Sequence, residues 1–329
     1  MGLGRSLSVV AALATFTVAL VRCANFEGEE TPDGGSSLPD GASLDAPLDA
    51  PPALDAGDGG PDVTDGGTVR RCDPDAAFDT PTPLSSINSG ADDEAPSLTP
   101  DELVIYFASN RSGVWRIHRA MRDNATATFT APIEIGGLLN SGEPRDPVVQ
   151  QGEKVIFYTR ATGTNGYDVT RSAVMFGGVT PTWPVGESLN VDTPADEAMG
   201  DLGFGHLWYS RGNVILAAPA ASGTQFGQAT ALALIPSGSR PKVTAVGSDP
   251  SQVRIFWEGL TGGASTGDIY SAIVTLPGYG VTFISPVENV NDPTSEDAPG
   301  WISADGCVLY LHSKRTTGKN HLFVARRGP

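Results

Sequence analysis

From residue 78 onward the chain alternates between short apolar runs and polar, turn-forming segments. Residues 104–108 are apolar on both faces, which is typical of a strand packed between two neighbours. Residues 115–119 alternate between apolar and polar side chains, as a half-exposed strand does. Residues 110–113, between these runs, have the composition of a hairpin turn. The pattern therefore predicts an all-β domain of short antiparallel strands.

This pattern recurs five times, and each copy opens on an aromatic residue. The five aromatic residues are Phe78, Phe129, Trp183, Phe226 and Phe283, at spacings of 51, 54, 43 and 57 residues. A period near 50 residues with about four strand-like pieces per copy is typical of β-propeller blades. We predict a β-propeller of five four-stranded blades. A sixth blade would need residues from the segment before Phe78, which lacks the alternation of a strand.

The repeats also carry a recognisable motif. Residues 96–111 follow the pattern P-x-L-[ST]-x-D-[EG]-x-x-[IL]-Y-[FL]-x-S-[NK]-R, residues 303–315 carry most of it again, and the middle copies match in part. The pattern resembles the WD40-like repeat of TolB-type β-propellers, over residues 78–327. The resemblance implies a non-catalytic propeller that meets protein or peptide partners at its axial mouth.

Closure of the ring follows from the order of the pieces. In such repeats the lead-in segment is the outermost strand of the preceding blade, so residues 78–84 are expected to pair with the last copy and remove the open sheet edge. Cys72 lies just before this closing strand, and Cys307 opens the central strand of the last copy. We predict a Cys72–Cys307 disulfide, which an exported protein can form. The alternative is a buried Cys307 thiol with Cys72 free.

The N-terminal region predicts export. Residues 6–21 form an apolar run after Arg5 that is too short to span a bilayer and is typical of a signal peptide. Residues 19–23 resemble a bacterial lipobox, which implies a lipid on Cys23 and a membrane anchor. Arg22 stands where a lipobox has a small residue, so a plain secretory signal is the alternative.

Residues 24–77 are predicted to be a disordered linker. They consist mainly of Asp, Gly, Pro, Ala and Ser, with 13 acidic and 2 basic residues, and contain too few apolar side chains to form a core. Their Asp-Gly-Gly pieces lack the nonapeptide spacing of calcium-binding repeats. The predicted organisation is therefore a signal peptide over 1–23, a linker over 24–77 and a propeller over 78–329.

Composition narrows the function. The 329-residue chain has a net charge of −17, which disfavours nucleic-acid binding. The repeats contain no α/β-hydrolase segment, and the histidines lack zinc-ligand spacing. We therefore predict no catalytic residue, metal or cofactor. The histidines, interpreted as structural or surface residues, are His118, His206, His312 and His321.

Two sets of charged residues recur at matching points of the repeats. The acidic pairs are Asp93/Glu94, Asp196/Glu197 and Glu296/Asp297, and the arginines are Arg111, Arg211 and Arg315. We interpret the acids as turn-forming residues. We expect the arginines to pair with them and brace neighbouring blades, not to bind a ligand.

The combined prediction is a monomeric, non-enzymatic scaffold propeller, exported and held at the bacterial cell envelope, that engages a protein or peptide. One alternative is a propeller glycoside hydrolase or lyase, which would need carboxylates converging at the axial mouth. A second alternative is a carbohydrate-binding surface module, which would show exposed aromatic side chains around one face.

Overall fold

The structure is a computed structural model, and it describes residues 63–65, 68–138, 142–150, 152–162, 166–174, 183–184, 186–222, 224–259 and 267–328. The predicted signal peptide, Cys23 and most of the predicted linker lie outside these residues, so lipidation and export stay predictions. Within the described part of the chain, no helix has the length and apolar character needed to cross a membrane.

The described residues form five antiparallel blades. Two short strands, β1 (Val63–Asp65) and β2 (Thr68–Arg70), pair with each other ahead of them. Blade 1 contains β4 (Asp93–Leu98), β5 (Val104–Ser109), β6 (Arg116–Met121) and β7 (Ile133–Glu134). Blade 2 contains β8 (Arg145–Gln150), β9 (Val155–Ala161), β10 (Tyr167–Ala173) and β11 (Glu187–Ser188).

The remaining blades repeat this order. Blade 3 contains β12 (Glu197–Gly203), β13 (His206–Arg211), β14 (Val214–Ser222), and the short β15 (Gln225–Phe226) and β16 (Thr230–Ala231), which both pair with β14. Blade 4 contains β17 (Ser239–Val246), β18 (Asp249–Gly259), β19 (Asp268–Thr275) and β20 (Gly280–Pro286). Blade 5 contains β21 (Asp297–Ile302), β22 (Val308–Ser313), β23 (His321–Arg326) and, from the start of the domain, β3 (Thr82–Pro83). The predicted five-bladed propeller is confirmed.

Ring closure is confirmed by the pairing of the two ends. β3 pairs antiparallel with β23, and a bridge joins Phe78 to Arg327. The innermost strands β4, β8, β12, β17 and β21 pack side by side in that order, and β21 returns to β4. Gly300 permits the last approach, because a Cβ there would collide with Pro96 of β4. These five strands surround the propeller axis and all begin at the same end of it.

Large aromatic side chains fill the space between the blades, as predicted for the sandwiched strands. Tyr106, Tyr158, Trp208, Trp257 and Tyr310 are all fully buried. The lead aromatic of the fifth repeat behaves differently. Phe283 is 79% exposed and has a φ of 55°, close to a register shift between β19 and β20. The shift turns this side chain outward, and Val287 occupies the buried position instead.

The predicted disulfide is present and helps to define where the packed domain begins. Cys72 and Cys307 are bonded, with their Cα atoms 5.7 Å apart. Both lie in a core cluster with residues of blades 1 and 5. Arg71 also pairs with Glu102 and Asp305. The packed region thus starts at about residue 71, a few residues before the predicted boundary at 78.

Candidate functional site

The candidate site lies on the propeller axis, at the end where the innermost strands begin. Each of these five strands has a register shift near this end. In three of them the irregularity includes a non-glycine residue with a φ near +50°, followed directly by proline. These residues are Ala95, Asp146 and Arg240. Left-handed conformations of such residues are strained and cluster at functional sites.

Arg240 is the centre of this site because carboxylates from three blades surround its guanidinium group. Its Nε donates to Asp146 Oδ1 of blade 2 at 3.0 Å, and one terminal nitrogen donates to Glu258 Oε2 of its own blade at 2.8 Å. The other terminal nitrogen lies 4.0 Å from Glu94 Oε2 of blade 1. This contact brings together residues that are 146 positions apart in the chain. The nearby carboxylates raise the pKa of Arg240 and keep it charged.

Glu94 differs from the other carboxylates in its surroundings. Its side chain is buried, its Oε1 accepts a hydrogen bond from Asn320 Nδ2 at 2.7 Å, and its Oε2 has no hydrogen-bond partner. Burial raises the pKa of Glu94, and the negative charge of Asp146 acts in the same direction, against the lowering effect of Arg240. A carboxyl group of this kind retains its proton to higher pH than an ordinary glutamate, which suits proton donation.

Glu258 contrasts with Glu94 because it is held by two donors. Arg240 and the Ser239 hydroxyl both donate to its Oε2, the hydroxyl at 2.8 Å. Charge-assisted hydrogen bonds of this kind stabilise the ionised carboxylate. The site therefore contains one carboxyl with a raised pKa and a second carboxylate that is held by an arginine and a hydroxyl group.

Positive and neutral groups complete an axial pocket of about 160 Å³. The residues that line it are Glu94, Arg145, Arg240, Glu258, Glu296, Ala298, His312, Lys314 and Asn320. The Arg145 guanidinium lies over the Trp115 ring, 4.1 Å from its centroid. Burial lowers the pKa of His312 well below its usual value, aided by the charges of Arg240, Lys242 and Lys314. His312 is thus neutral, and its Nδ1 lies 3.3 Å from the Ala95 amide, which donates to it.

Of the predicted acidic pairs, Glu94 and Glu296 line the pocket, and one acid of each pair has a structural role. Asp93, Glu197 and Asp297 are fully buried and pair with Arg111, Arg211 and Arg315 respectively. Each arginine also donates to a backbone carbonyl in the connection that enters its blade, at Ile87, Val191 and Val290. The predicted pairing of arginines with acids is therefore present. Each pair lies within one blade, and the carbonyl contact fastens the incoming connection.

The four histidines lie in different surroundings. His118 stacks on Phe107 in blade 1, with ring centroids 5.7 Å apart, and His206 contacts Trp208 and Tyr279. His321 lies within hydrogen-bond distance of Thr316 and Thr317. Only His312 among the four reaches the axial pocket.

Sequence reasoning missed the three residues at the centre of the site. Asp146, Arg240 and Glu258 are not part of the recurring acidic pairs or arginines. A signal was available, because Asp146 and Arg240 directly precede Pro147 and Pro241, where the first and last repeats have Ala95-Pro96 and Ala298-Pro299. A charged residue where other repeats have alanine indicates a role other than stabilising the fold.

Comparison with known proteins supports the fold. No protein-family model matches the sequence, and no curated protein sequence matches it. The catalytic domain of the Coprinopsis cinerea GH62 alpha-L-arabinofuranosidase is similar in structure, with 10% identity and a TM-score of 0.55 over 77% of this chain and 97% of that one. A GH43_1 enzyme from Xanthomonas citri has 12% identity and a TM-score of 0.52 over 75% and 90%. A putative TolB from Agrobacterium tumefaciens has 13% identity and a TM-score of 0.44 over 68% and 71%.

These findings correct the predicted function. Most of the similar structures are propeller glycoside hydrolases, among them an endo-arabinase and a beta-xylosidase. The carboxylates that the hydrolase alternative requires do converge on the axis, around Arg240. The prediction of a non-catalytic scaffold, and with it the prediction that the chain is not an enzyme, is wrong. Its physical basis was the absence of a local motif, whereas this site is assembled from separate blades.

Proposed function

We propose that the protein is a glycoside hydrolase whose active site is the axial pocket. The observation that carries this proposal is the convergence of Glu94 and Glu258, from blades 1 and 4, on one guanidinium group, with the pKa of Glu94 raised by burial. Cleavage of a glycosidic bond needs one carboxyl group to protonate the leaving oxygen and a second, ionised carboxylate to assist attack at the sugar carbon. The shared fold with glycoside hydrolases is consistent with this assignment.

Glu94 is assigned as the general acid. Its buried Oε2 has no hydrogen-bond partner and burial raises the pKa of its carboxyl, so Glu94 retains to higher pH than an ordinary glutamate a proton that it can donate to the departing oxygen. Glu258 is assigned as the second carboxylate, as nucleophile or as base for a water molecule. Arg240 positions both groups and holds Asp146 beside them, and burial, with a smaller contribution from the charge of Asp146, raises the pKa of Glu94.

The size and lining of the pocket limit the class of substrate that it can bind. A volume of about 160 Å³ is below the several hundred Å³ of sites that enclose a drug-sized molecule, and it favours a single terminal sugar unit. The lining is polar and suits hydroxyl groups. Similar structures are described as an alpha-L-arabinofuranosidase and a beta-xylosidase, so terminal arabinofuranosyl and xylosyl units are the first substrates to test.

The test measures kcat/KM of the full chain on two substrates that differ only in the leaving group. A nitrophenyl glycoside departs without much help from an acid, whereas the methyl glycoside of the same sugar requires protonation. We expect Glu94→Gln to lower kcat/KM on the methyl glycoside by about 10²- to 10⁴-fold and to lower it much less on the nitrophenyl glycoside. We also expect the wild-type rate to decline as pH rises through the raised pKa of Glu94, because the acid form is then lost.

Glu288→Gln provides the matched control, since Glu288 is exposed and lies outside the pocket. It should retain wild-type rates on both substrates. Absence of hydrolysis by the wild-type chain across arabinosides, xylosides and other simple glycosides would contradict the proposal. Equal losses for Glu94→Gln on both substrates would contradict the assignment of Glu94 as acid.

We further propose that the chain is exported, with a lipid on Cys23 as the predicted anchor. The Cys72–Cys307 disulfide supports export, because such bonds persist in oxidising compartments. An enzyme at the cell surface or in the periplasm would meet sugar polymers from outside the cell.

A further inference from the structure

A second group of carboxylates lies away from the axis, between blades 2 and 3. It consists of Asp168 on β10, Asp192 in the connection from β11 to β12, and Glu197 on β12. One carboxylate oxygen from each residue lies within 4.8 Å of those of the other two. We call these three residues the carboxylate cluster. None of them lines the axial pocket.

Several oxygen atoms of the cluster have no hydrogen-bond partner although they are buried. Asp168 is only 7% exposed, and its Oδ1 is unpartnered, while its Oδ2 accepts a hydrogen bond from the Thr162 hydroxyl. Both carboxylate oxygens of Asp192 are also buried and make no well-formed hydrogen bond, although the Ser188 side chain and the Val169 amide lie close to this carboxylate. Buried carboxylates without partners are costly, so this arrangement implies a missing positive group.

The positive charge nearest to the cluster is already engaged. Arg211 donates to Glu197 Oε1 at 2.7 Å and to the Val191 carbonyl, and the Thr193 hydroxyl also donates to Glu197 Oε1. Neither donor satisfies Asp168 or Asp192.

The equivalent connections between other blades show what is unusual about Asp192. The repeated arginines donate to the carbonyls of Ile87, Val191 and Val290, and the residues that follow these carbonyls are Asn88, Asp192 and Asn291. Asn88 exchanges two hydrogen bonds with the Leu322 backbone, and Asn291 does the same with Ile269. Asp192 has no amide donor with which to complete such a pair.

We propose that the carboxylate cluster binds a calcium ion that joins blade 2 to blade 3. Calcium prefers carboxylate oxygens at 2.3–2.6 Å and tolerates irregular geometry. Two oxygens bound to one such ion lie at most about 5 Å apart, which the mutual limit of 4.8 Å satisfies. The ion would provide the unpartnered oxygens of Asp168 and Asp192 with a ligand, and water molecules would complete its coordination.

The test is the thermal midpoint of the full chain, stripped with EDTA and then measured with 10 mM CaCl₂ or MgCl₂. For a dissociation constant of about 0.1–1 mM, calcium should raise the midpoint by about 3–10 °C. Asp192→Asn restores the residue found at the two other junctions and should abolish this rise. Asp268→Asn, at the junction of blades 4 and 5, removes one carboxylate outside the cluster and should leave the rise unchanged.

A second readout does not depend on how the variants fold. The Tyr209 hydroxyl lies 3.3 Å from a terminal nitrogen of Arg211, and Arg211 pairs with Glu197, so the tyrosine is close enough to sensitise a lanthanide ion in the cluster. Tb³⁺ added to wild-type protein should emit on excitation of tyrosine, and CaCl₂ should displace it. No emission, no thermal rise with calcium, a rise with magnesium alone, or an undiminished rise in Asp192→Asn would each overturn the proposal.

Discussion

The disulfide across the ring closure allows a worked prediction of stability. The change is Cys72→Ala together with Cys307→Ala, which removes a cross-link between residues 235 positions apart. In the chain-entropy model, a closed loop of this length lowers the entropy of the unfolded chain by enough to contribute about 5 kcal/mol at 25 °C. For a domain of this size, each kcal/mol corresponds to about 2–4 °C in the thermal midpoint. The expected loss is therefore about 10–20 °C.

The strand pairing across the ring closure is short, so the bond contributes to holding it. The strand pairing that closes the ring comprises only two residue pairs between β3 and β23, with one further bridge from Phe78 to Arg327. Both sulfur atoms also lie in the core, so the double variant loses packing as well as the cross-link. Reduced wild-type protein provides the control, because it keeps the sulfur atoms and loses only the bond.

The assay combines thermal unfolding with thiol counting on denatured, unreduced protein from an oxidising compartment. One free thiol per unprocessed chain is expected, from Cys23. Three free thiols would show that the bond does not form. A midpoint of the double variant within about 3 °C of oxidised wild type would refute the argument that the bond holds the ring closed.

Two further predictions concern ring closure and pH. Deleting residues 1–86 removes β3, Cys72 and the buried Phe78, so we expect a sharp loss of soluble protein by size-exclusion chromatography, whereas deleting residues 1–62 should leave the yield of soluble monomer unchanged. His312 has a pKa well below its unfolded value of about 6.5, mainly through burial, so the unfolded chain binds more protons and the free energy of unfolding should fall as pH drops through 6.5. Urea unfolding at pH 7 and pH 5 should show a smaller fall in His312→Gln than in wild type, with His321→Gln as the control. An equal fall in His312→Gln would contradict a buried neutral imidazole.

The strands and their order were predictable because the relevant signals are local. The apolar run at residues 104–108 became β5, and the alternating run at 115–119 became most of β6. The repeat period predicted five blades, and the unmatched lead-in predicted the pairing of β3 with β23. The disulfide followed from closure, since closure makes Cys72 and Cys307 neighbours.

The chemical sites were not predictable in the same way. Asp93 and Glu94 are adjacent and resemble the other acidic pairs, yet Asp93 pairs with Arg111 and Glu94 reaches the axis. Adjacent strand residues point to opposite faces, and the packing of the blades, with the register shift that follows Glu94, decides which face meets the axis. No sequence period reports where such a shift occurs.

The sequence by itself therefore determined the repeating unit, the number of copies and the way the ends meet. Each of these depends on patterns within about 50 residues. Tertiary structure decided which charged side chains share a space. Arg240 meets Glu94 and Asp146 only because ring closure brings blades 1, 2 and 4 around one axis. Asp168 and Asp192 meet Glu197 only where two particular blades pack together. Electrostatic effects depend on distances in space, and the ring converts long separations along the chain into contacts of a few ångströms.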